Sequence, residues 1–308
     1  MPSLAGAEWL DLESPGLGGG RGQVVLVNFW TLTCINWLRQ QPYVRAWARA
    51  YRSDGLTVVA VHTPEFSFEH DRDLVRGARR DRGIDYPTVL DGDYAIWTRF
   101  ANNYWPALYF IDDTGAIRDE HFGEGRYRQS ERILQRLLGI HRDLAHVEAL
   151  GVEAAADWAH LGTPETYLGY GRGERFASPG DVGFDVRRRY RCPDHLPANH
   201  WALNGAWTVG SESVALDEAG GGIEFRFQAR DVHLVLDAGP ARSVPFRVLL
   251  DGQAPGSAHG IDTDEAGHGE LRGGRLYQLV RQQEPVRQRT VEVTFLEPGA
   301  KAFAVTFG

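Results

Sequence analysis

The sequence predicts an α/β domain followed by an all-β sandwich domain. Up to Gly139, runs with the pattern of buried strands alternate with runs that have helical periodicity. Further along, short alternating runs are separated by Gly, Pro and Asp. A length of 308 residues also suits two domains, each with its own core. We place the α/β domain at residues 1–140, a linker at 141–175 and the β-sandwich at 176–308.

The elements of the first domain follow from local patterns. Val24–Trp30 reads VVLVNFW, an unbroken apolar run typical of a buried strand. A helix-like stretch covers Cys34–Arg52, and Pro42 within it predicts a kink. The next strand is Thr57–Thr63. The later elements are a charged helix in HDRDLVRGARRDRG, a strand at Pro87–Asp91, a short helix in DYAIWTRFA, a hairpin of ALYFID and AIRDEHF, and a helix in ERILQRLLG.

The second domain contains runs with strand periodicity and almost no helical pattern. Turn residues bound each run, which is typical of an antiparallel sandwich. The predicted strands are IEFRFQA, DVHLVLDA, PFRVLLDG, RLYQLVR, TVEVTFLE and AFAVTFG.

Composition argues against nucleic-acid binding, membrane association and a disulfide-stabilised fold. The formal net charge of -8 disfavours nucleic acid or an anionic membrane as a partner. No stretch approaches the roughly 20 apolar residues that span a bilayer, and the first residues lack the pattern of a signal peptide. Two cysteines, Cys34 and Cys192, cannot form a disulfide framework. We therefore expect a soluble, cytoplasmic protein without a membrane partner.

Cys34 is the principal candidate for chemistry. It lies where a buried strand turns into a helix, and the unpaired N–H groups of a helix start favour an anion. This placement is expected to lower the pKa of the thiol and so favour the nucleophilic thiolate. Three residues later, where a dithiol enzyme has its second cysteine, the chain has Trp37. An internal disulfide across the first helical turn is therefore impossible.

Several motifs around this cysteine resemble the thioredoxin superfamily, in the branch of the cytochrome-maturation thioredoxins and peroxiredoxins. They are FWTLTC after a buried strand, an inserted βα unit, and YWPALYFID. The segments VHTPEFSFE, FGEGRY, TPETYLGYGR, NHWALNGAWTVG and TFG are similar to the extracytoplasmic part of DipZ-type thiol:disulfide proteins. The resemblance implies a thioredoxin-like fold with an inserted βα unit, followed by a jelly-roll-like sandwich similar to carbohydrate-binding modules.

The resemblance also implies roles for individual residues. Pro106 occupies the family's cis-proline position and would shape the substrate groove beside Cys34, while the bulky Trp105 would narrow it. Glu65 corresponds to a carboxylate that could move a proton at the thiol, although an acid near a helix start also favours the helix dipole. His62 is interpreted as structural. The remaining predicted groove residues are Thr33, Trp37 and Trp30, the last most simply a core residue beneath the site.

Three interpretations of Cys34 remain open from the sequence. It could act alone on a disulfide or a peroxide, with an external thiol completing the reaction. Cys192 could resolve the intermediate, which requires Cα atoms within roughly 7 Å. Alternatively, Cys34 is a buried remnant, and the protein is a redox-inactive module whose groove or sandwich binds a protein or glycan.

No cofactor and no metal site are predicted. The sequence lacks the cysteine pairs and histidine spacings of zinc sites. Aromatic residues of the second domain offer platforms for sugar rings, but aromatics in a β-sandwich are usually core. Glycan is therefore the less favoured ligand, and a thiol or disulfide, on a protein or a small molecule, is the expected partner. The candidate sugar-stacking residues are Tyr167, Tyr170, Trp201, Trp207 and Tyr277.

Overall fold

A computed structural model describes residues 1–4, 8–10, 22–148, 155–239 and 243–308. The chain forms two compact units, Met1–Ala154 and Ala155–Gly308. Part of the predicted linker, residues 149–154, lies outside the described residues. Thr166–Tyr167, also in the predicted linker range, pairs with the last strand of the second unit. The predicted domain limits stay a prediction. Within the described ranges, no helix combines the length and apolar character needed to cross a bilayer.

The first unit is built on a six-stranded sheet with the order β1-β4-β3-β2-β5-β6. Strands β2, β3 and β4 are parallel, whereas β1, β5 and β6 pair antiparallel with their neighbours. In chain order the elements are β1 (Glu8–Trp9), β2 (Val24–Trp30), α1 (Ile35–Ala50), β3 (Leu56–His62), α2 (Arg72–Asp81), β4 (Thr88–Leu90), α3 (Ala95–Arg99), β5 (Ala107–Ile111), β6 (Ile117–Phe122) and α4 (Tyr127–Leu137).

Strand β2 lies between β3 and β5 and is buried along its whole length. Its apolar composition is explained by this position, because both faces of a central parallel strand are covered. Asn28 is the polar exception, and its amide donates to Gln40 on α1 at 2.9 Å. Helix α1 continues through Pro42 to Ala50, so the proline does not end it. The strands and helices predicted for this unit are confirmed within a few residues, and β1 is an addition.

In the described part of the second unit, eleven strands form a single connected sheet, with the path β14-β13-β16-β11-β9-β10-β17-β12-β15. Off this path, β7 pairs with β17 and β8 with β9. The strands are β7 (Thr166–Tyr167), β8 (Arg187–Tyr190), β9 (Trp201–Val209), β10 (Val214–Leu216), β11 (Gly222–Phe227), β12 (Asp231–Asp237), β13 (Ser243–Leu250), β14 (His268–Arg272), β15 (Arg275–Arg281), β16 (Arg289–Phe295) and β17 (Lys301–Phe307). The β-rich class is confirmed; a separate two-sheet jelly roll stays a prediction.

Strand β9 changes partners at Gly205. Its first half pairs with β11, and its second half pairs with β8 and β10. Gly205 has φ +97°, and a Cβ there would lie 2.7 Å from the Cα of Gly221. Both the backbone angle and the close approach require glycine, which makes this residue the joint between the two halves of the sheet.

Gly205→Ala should lower the free energy of unfolding of the second unit by at least about 3 kcal/mol, because it combines left-handed strain with a backbone clash. Gly220→Ala is the matched control. Gly220 has φ +81° but no heavy atom within 4 Å of a Cβ, so it carries only the strain of about 1 kcal/mol. Urea unfolding of both variants measures the difference, and equal losses would contradict the role given to the Gly205–Gly221 approach.

Candidate functional site

Cys34 immediately precedes helix α1 and has extended backbone angles, φ -73° and ψ 114°. Its carbonyl accepts from Leu38 N–H at 3.0 Å, so it is the first residue to enter the helical hydrogen-bond pattern. The first turn of α1 contains no acidic residue. The side chain is half-buried. A thiolate here would lie against the positive end of the helix dipole, with no helical carboxylate of the first turn opposing it.

The loop before β5 faces this thiol. Cys34 Sγ lies 3.8 Å from the carbonyl oxygen of Trp105, and the Trp105–Pro106 peptide bond is cis. The sheet register brings the loop here, because Phe29 at the end of β2 pairs with Ala107 at the start of β5. The Trp105 ring packs on Trp97 with centroids 4.4 Å apart. The structure therefore places Cys34 beside the loop that contains Trp105 and Pro106.

Trp37 is the last residue of the C-x-x-W motif, where a dithiol enzyme has its second cysteine, and it is 1% exposed. Its ring stacks on Trp30, with centroids 4.3 Å apart and planes 23° from parallel. The His62 ring packs on Trp30 in a T-shaped arrangement, with ring centroids 4.7 Å apart. Burial lowers the pKa of His62 to about 3, which keeps its imidazole neutral. Trp30 and Trp37 are thus core residues beneath the thiol rather than walls of an open groove.

Glu69 is the residue of this region that sequence reasoning missed. Its carboxylate, 0% exposed, accepts hydrogen bonds from the hydroxyl of Thr31 and from both the N–H and the hydroxyl of Thr33. It also accepts from the backbone N–H groups of Glu65 and Phe66. Burial raises the pKa of Glu69 to about 7, while the bonds from Thr31 and Thr33 act in the opposite direction.

Glu65, predicted as the acid beside the thiol, is half-buried in the segment after β3. Its backbone N–H donates to the hydroxyl of Thr31 at 3.3 Å. The carboxylate with hydrogen bonds to the turn before Cys34 belongs to Glu69, four residues further along. Thr33 is 2% exposed, so it supports the turn from inside. A proton-transfer role for Glu65 stays a prediction.

Cys192 lies in the second unit, and neither cysteine is in a disulfide. Burial, together with the carboxylate of Glu224, raises the pKa of the Cys192 thiol far above its ordinary value. Glu224 pairs directly with Glu292 across β11 and β16, which places a second carboxylate in the same region. A thiol that resists ionisation is a poor nucleophile. This environment argues against Cys192 as the resolving group.

Most candidate sugar-stacking residues of the second unit are in the core. Trp201, Trp207 and Tyr277 are at most 2% exposed, and both indole N–H groups donate to backbone carbonyls. Arg172 lies over the ring of Tyr167 at 3.6 Å. Tyr170 alone of the five is exposed. The three core residues cannot stack on a sugar, so the interpretation as core is the correct one for them.

Among the described residues, one group of side chains has the spacing of a metal site: Asp157, His160 and Glu284, with ligand atoms within 4.8 Å of one another. His160 Nδ1 lies 2.8 Å from the Asp157 carboxylate. The contact holds the pKa of Asp157 below and that of His160 above their ordinary values. Such mutual shifts describe an ordinary ion pair, and it belongs to the second unit rather than to the thiol region.

The first unit has a thioredoxin-like fold, with a cysteine at a helix start opposite a proline loop. The family model described as "Thioredoxin like C-terminal domain" matches residues 163–308 of the second unit. Protein DipZ of Mycobacterium tuberculosis is 37% identical over 245 residues, which is 76% of this chain and 34% of that protein. The chain therefore spans about a third of the DipZ relatives' length.

Thiol-disulfide oxidoreductase YkuV of Bacillus subtilis is 31% identical over 144 residues, covering 45% of this chain and 93% of that protein. A thiol-disulfide isomerase from Corynebacterium glutamicum aligns in structure with 21% identity and a TM-score of 0.39, over 44% of this chain and 92% of that one. YkuV is thus matched over nearly its whole length. The chain belongs to the thioredoxin-like family of thiol-disulfide oxidoreductases that includes YkuV, and it is similar to DipZ over about three quarters of its own length.

Proposed function

We propose that the protein is a monothiol oxidoreductase whose nucleophile is Cys34. The observation that carries this proposal is the half-buried thiol at the start of α1, 3.8 Å from the carbonyl of Trp105 in the proline loop. The burial of Trp37 supports a reaction with one protein thiol, since the position of a second cysteine is filled by a core side chain. Thiol or disulfide groups, on proteins or small molecules, are the proposed substrates.

The proposed reaction proceeds in two exchanges. The Cys34 thiolate attacks one sulfur of a disulfide, forms a mixed disulfide and releases the other sulfur as a thiolate, which takes up a proton. An external thiol then attacks the mixed disulfide and restores Cys34.

With a peroxide, the same thiolate would take one oxygen, giving a sulfenic acid and an alcohol or water. Two external thiols would then be consumed, one to form a mixed disulfide with loss of water and one to release it. Pro106 would shape the groove for the substrate, and Glu65 would relay a proton from solvent to the leaving thiolate.

The test is the pH dependence of alkylation of Cys34 by iodoacetamide in the folded full chain, read by mass spectrometry. Cys34 is expected to label rapidly with a midpoint clearly below the free-thiol value of about 8.5, because the helix start favours the thiolate. Cys192 serves as the internal control and should label slowly, since its pKa is raised by burial. Labelling of Cys34 only after denaturation would refute the proposal. Cys34→Ser should then remove all exchange activity, whereas Cys192→Ser should leave it intact.

A binding role is the second candidate, and an exposed aromatic pair favours it. Tyr170 is 39% and Phe184 54% exposed, with ring centroids 4.6 Å apart. Exposed aromatic faces of this kind suit protein or sugar ligands. If Cys34 is inert, this surface becomes the first place to search for a ligand, by binding assays with Tyr170→Ser and Phe184→Ser.

We also propose that the second unit closes as a jelly-roll-like sandwich. One buried cluster includes Leu203, Phe225 and Val293 from one half of the strand path. The same cluster includes Leu236 and Val305 from the other half. A core shared by both halves supports two layers packed face to face.

A further inference from the structure

Glu69 is a fully buried carboxylate that does not belong to an ion pair with Lys or Arg among the described residues. A buried charge is costly unless hydrogen bonds compensate it. Here five donors do so: two hydroxyls and three backbone N–H groups. A short 3₁₀ turn, Ser67–His70, presents the side chain. So many donors on one carboxylate indicate that its position is precisely determined.

The five bonds join two segments that are distant in sequence. One carboxylate oxygen accepts from Thr33, through N–H at 3.1 Å and the hydroxyl at 2.7 Å. The other accepts from Thr31 and from the backbone of Glu65 and Phe66. Within the turn itself, Cys34 N–H reaches the Thr31 carbonyl only at 3.4 Å, a long hydrogen bond. The turn before Cys34 is therefore held more by Glu69 than by its own backbone.

We propose that Glu69 is a positioning residue for the Cys34 thiol, fixing the Thr31–Cys34 turn and coupling its own protonation to the reactivity of Cys34. The inference rests on the proposed function, because it concerns the same thiol. Glu69 would act through Thr33 rather than by touching a substrate.

The chemistry of the donors explains why protonation matters. An ionised carboxylate accepts all five bonds, whereas a protonated one must donate from one oxygen. Only the hydroxyls of Thr31 and Thr33 can accept that proton, since the other donors are N–H groups. Protonation therefore reverses a hydrogen bond in the turn that precedes Cys34. Burial is the largest effect that disfavours ionisation of Glu69, and the charge of Glu65 acts in the same direction.

Ionised Glu69 also places a negative charge near the start of α1, which disfavours a thiolate at Cys34. Since burial raises the pKa of Glu69 to about 7, its charge should change within the pH range of the labelling measurement. The wild-type rate of alkylation should show two inflections with pH, one from Glu69 and one from Cys34. Glu69→Gln should leave a single inflection, with a midpoint lower by about half a unit or more, or about threefold faster labelling at neutral pH.

The experiment measures iodoacetamide labelling of Cys34 against pH in full-length wild type, Glu69→Gln and Glu131→Gln. Glu131 is the matched control, a buried glutamate 3% exposed that accepts from the hydroxyl of Tyr51 at the other end of α1. Loss of a buried carboxylate lowers stability in both variants. Only Glu69→Gln should change the labelling profile. An unchanged profile in Glu69→Gln, or the same change in Glu131→Gln, would overturn the proposal.

Thr33 provides a second test that does not depend on the folding of Glu69→Gln. Thr33→Val removes the hydroxyl that favours the ionised carboxylate, so the Glu69 inflection should move to higher pH. Thr33→Ser keeps the hydroxyl and should restore the wild-type profile. Equal profiles for the two variants would contradict the coupling. If folded wild type does not label at Cys34, the proposed function fails; if it labels but the variants do not differ, only the role of Glu69 fails.

Discussion

Trp37→Cys is expected to give Cys34 an internal resolving thiol. Residues three apart on a helix lie on one face with Cβ atoms about 5–6 Å apart, and a modest adjustment of the first turn brings them within disulfide geometry. In wild type, a mixed disulfide on Cys34 should persist until an external thiol arrives, since the indole of Trp37 cannot attack a disulfide. In the variant, attack by the new thiol should release the bound group at least about a hundredfold faster, because the reaction becomes intramolecular.

The measurement uses Cys34 labelled with thionitrobenzoate in a Cys192→Ser background, without added thiol, and follows release of the chromophore. Trp37→Ala is the control for the structural damage. Both variants remove a large ring that is 1% exposed and stacked on Trp30, so each should lose about 3–5 kcal/mol of unfolding free energy. Equal release from the two variants would show that the helix start cannot support dithiol exchange.

The secondary structure of this chain could be predicted because its signals are local. Local sequence alone identifies the apolar run Val24–Trp30 and the hairpin formed by β5 and β6. Strand β1 was missed because two residues, Glu8–Trp9, carry no periodicity and pair only when β4 is already in place. In the second unit, alternation predicts the six strands β11, β12, β13, β15, β16 and β17. The strands β7, β8, β9, β10 and β14 were missed, as was the change of partners of β9 at Gly205.

The candidate site was predictable only in part, for a related reason. The motifs that contain Cys34, Trp105 and Pro106 lie directly beside the ends of β2 and β5. These residues therefore lie close together once the two strands pair. Glu69 lies in SFE, where nothing local distinguishes it from a solvent-exposed acid. Its donors come from Thr31 and Thr33 after β2 and from the segment after β3, and only the folded chain brings them together. Buried polar networks of this kind depend on tertiary structure.

The stability of the first unit should depend on pH through two buried groups with opposite effects. Burial lowers the pKa of His62 from 6.5 to about 3, so the folded state binds fewer protons than the unfolded state between these values. The contribution of neutral His62 to the free energy of unfolding is fully present above pH 6.5. It decreases by about 5 kcal/mol as the pH falls from 6.5 to about 3. His70 is the charged neighbour that adds to the shift.

Glu69 acts in the other direction. Its pKa rises from 4.5 to about 7, so the folded state binds more protons across that interval and stability increases as pH falls through it, by about 3 kcal/mol. Between pH 4.5 and 6.5 the two slopes cancel. The wild-type contribution from this pair should therefore be nearly flat there and decline only below pH 4.5.

Single variants separate the two groups. Glu69→Gln should lose stability continuously as pH falls below 6.5, because the His62 effect is no longer opposed. His62→Leu should instead gain stability as pH falls from 7 towards 4.5. Hydrogen exchange of the β2 and β3 amides at pH values from about 4 to about 8 reports the first unit alone, because these strands belong to its sheet. Parallel pH profiles for wild type and both variants would show that neither buried group is titrating as the structure requires.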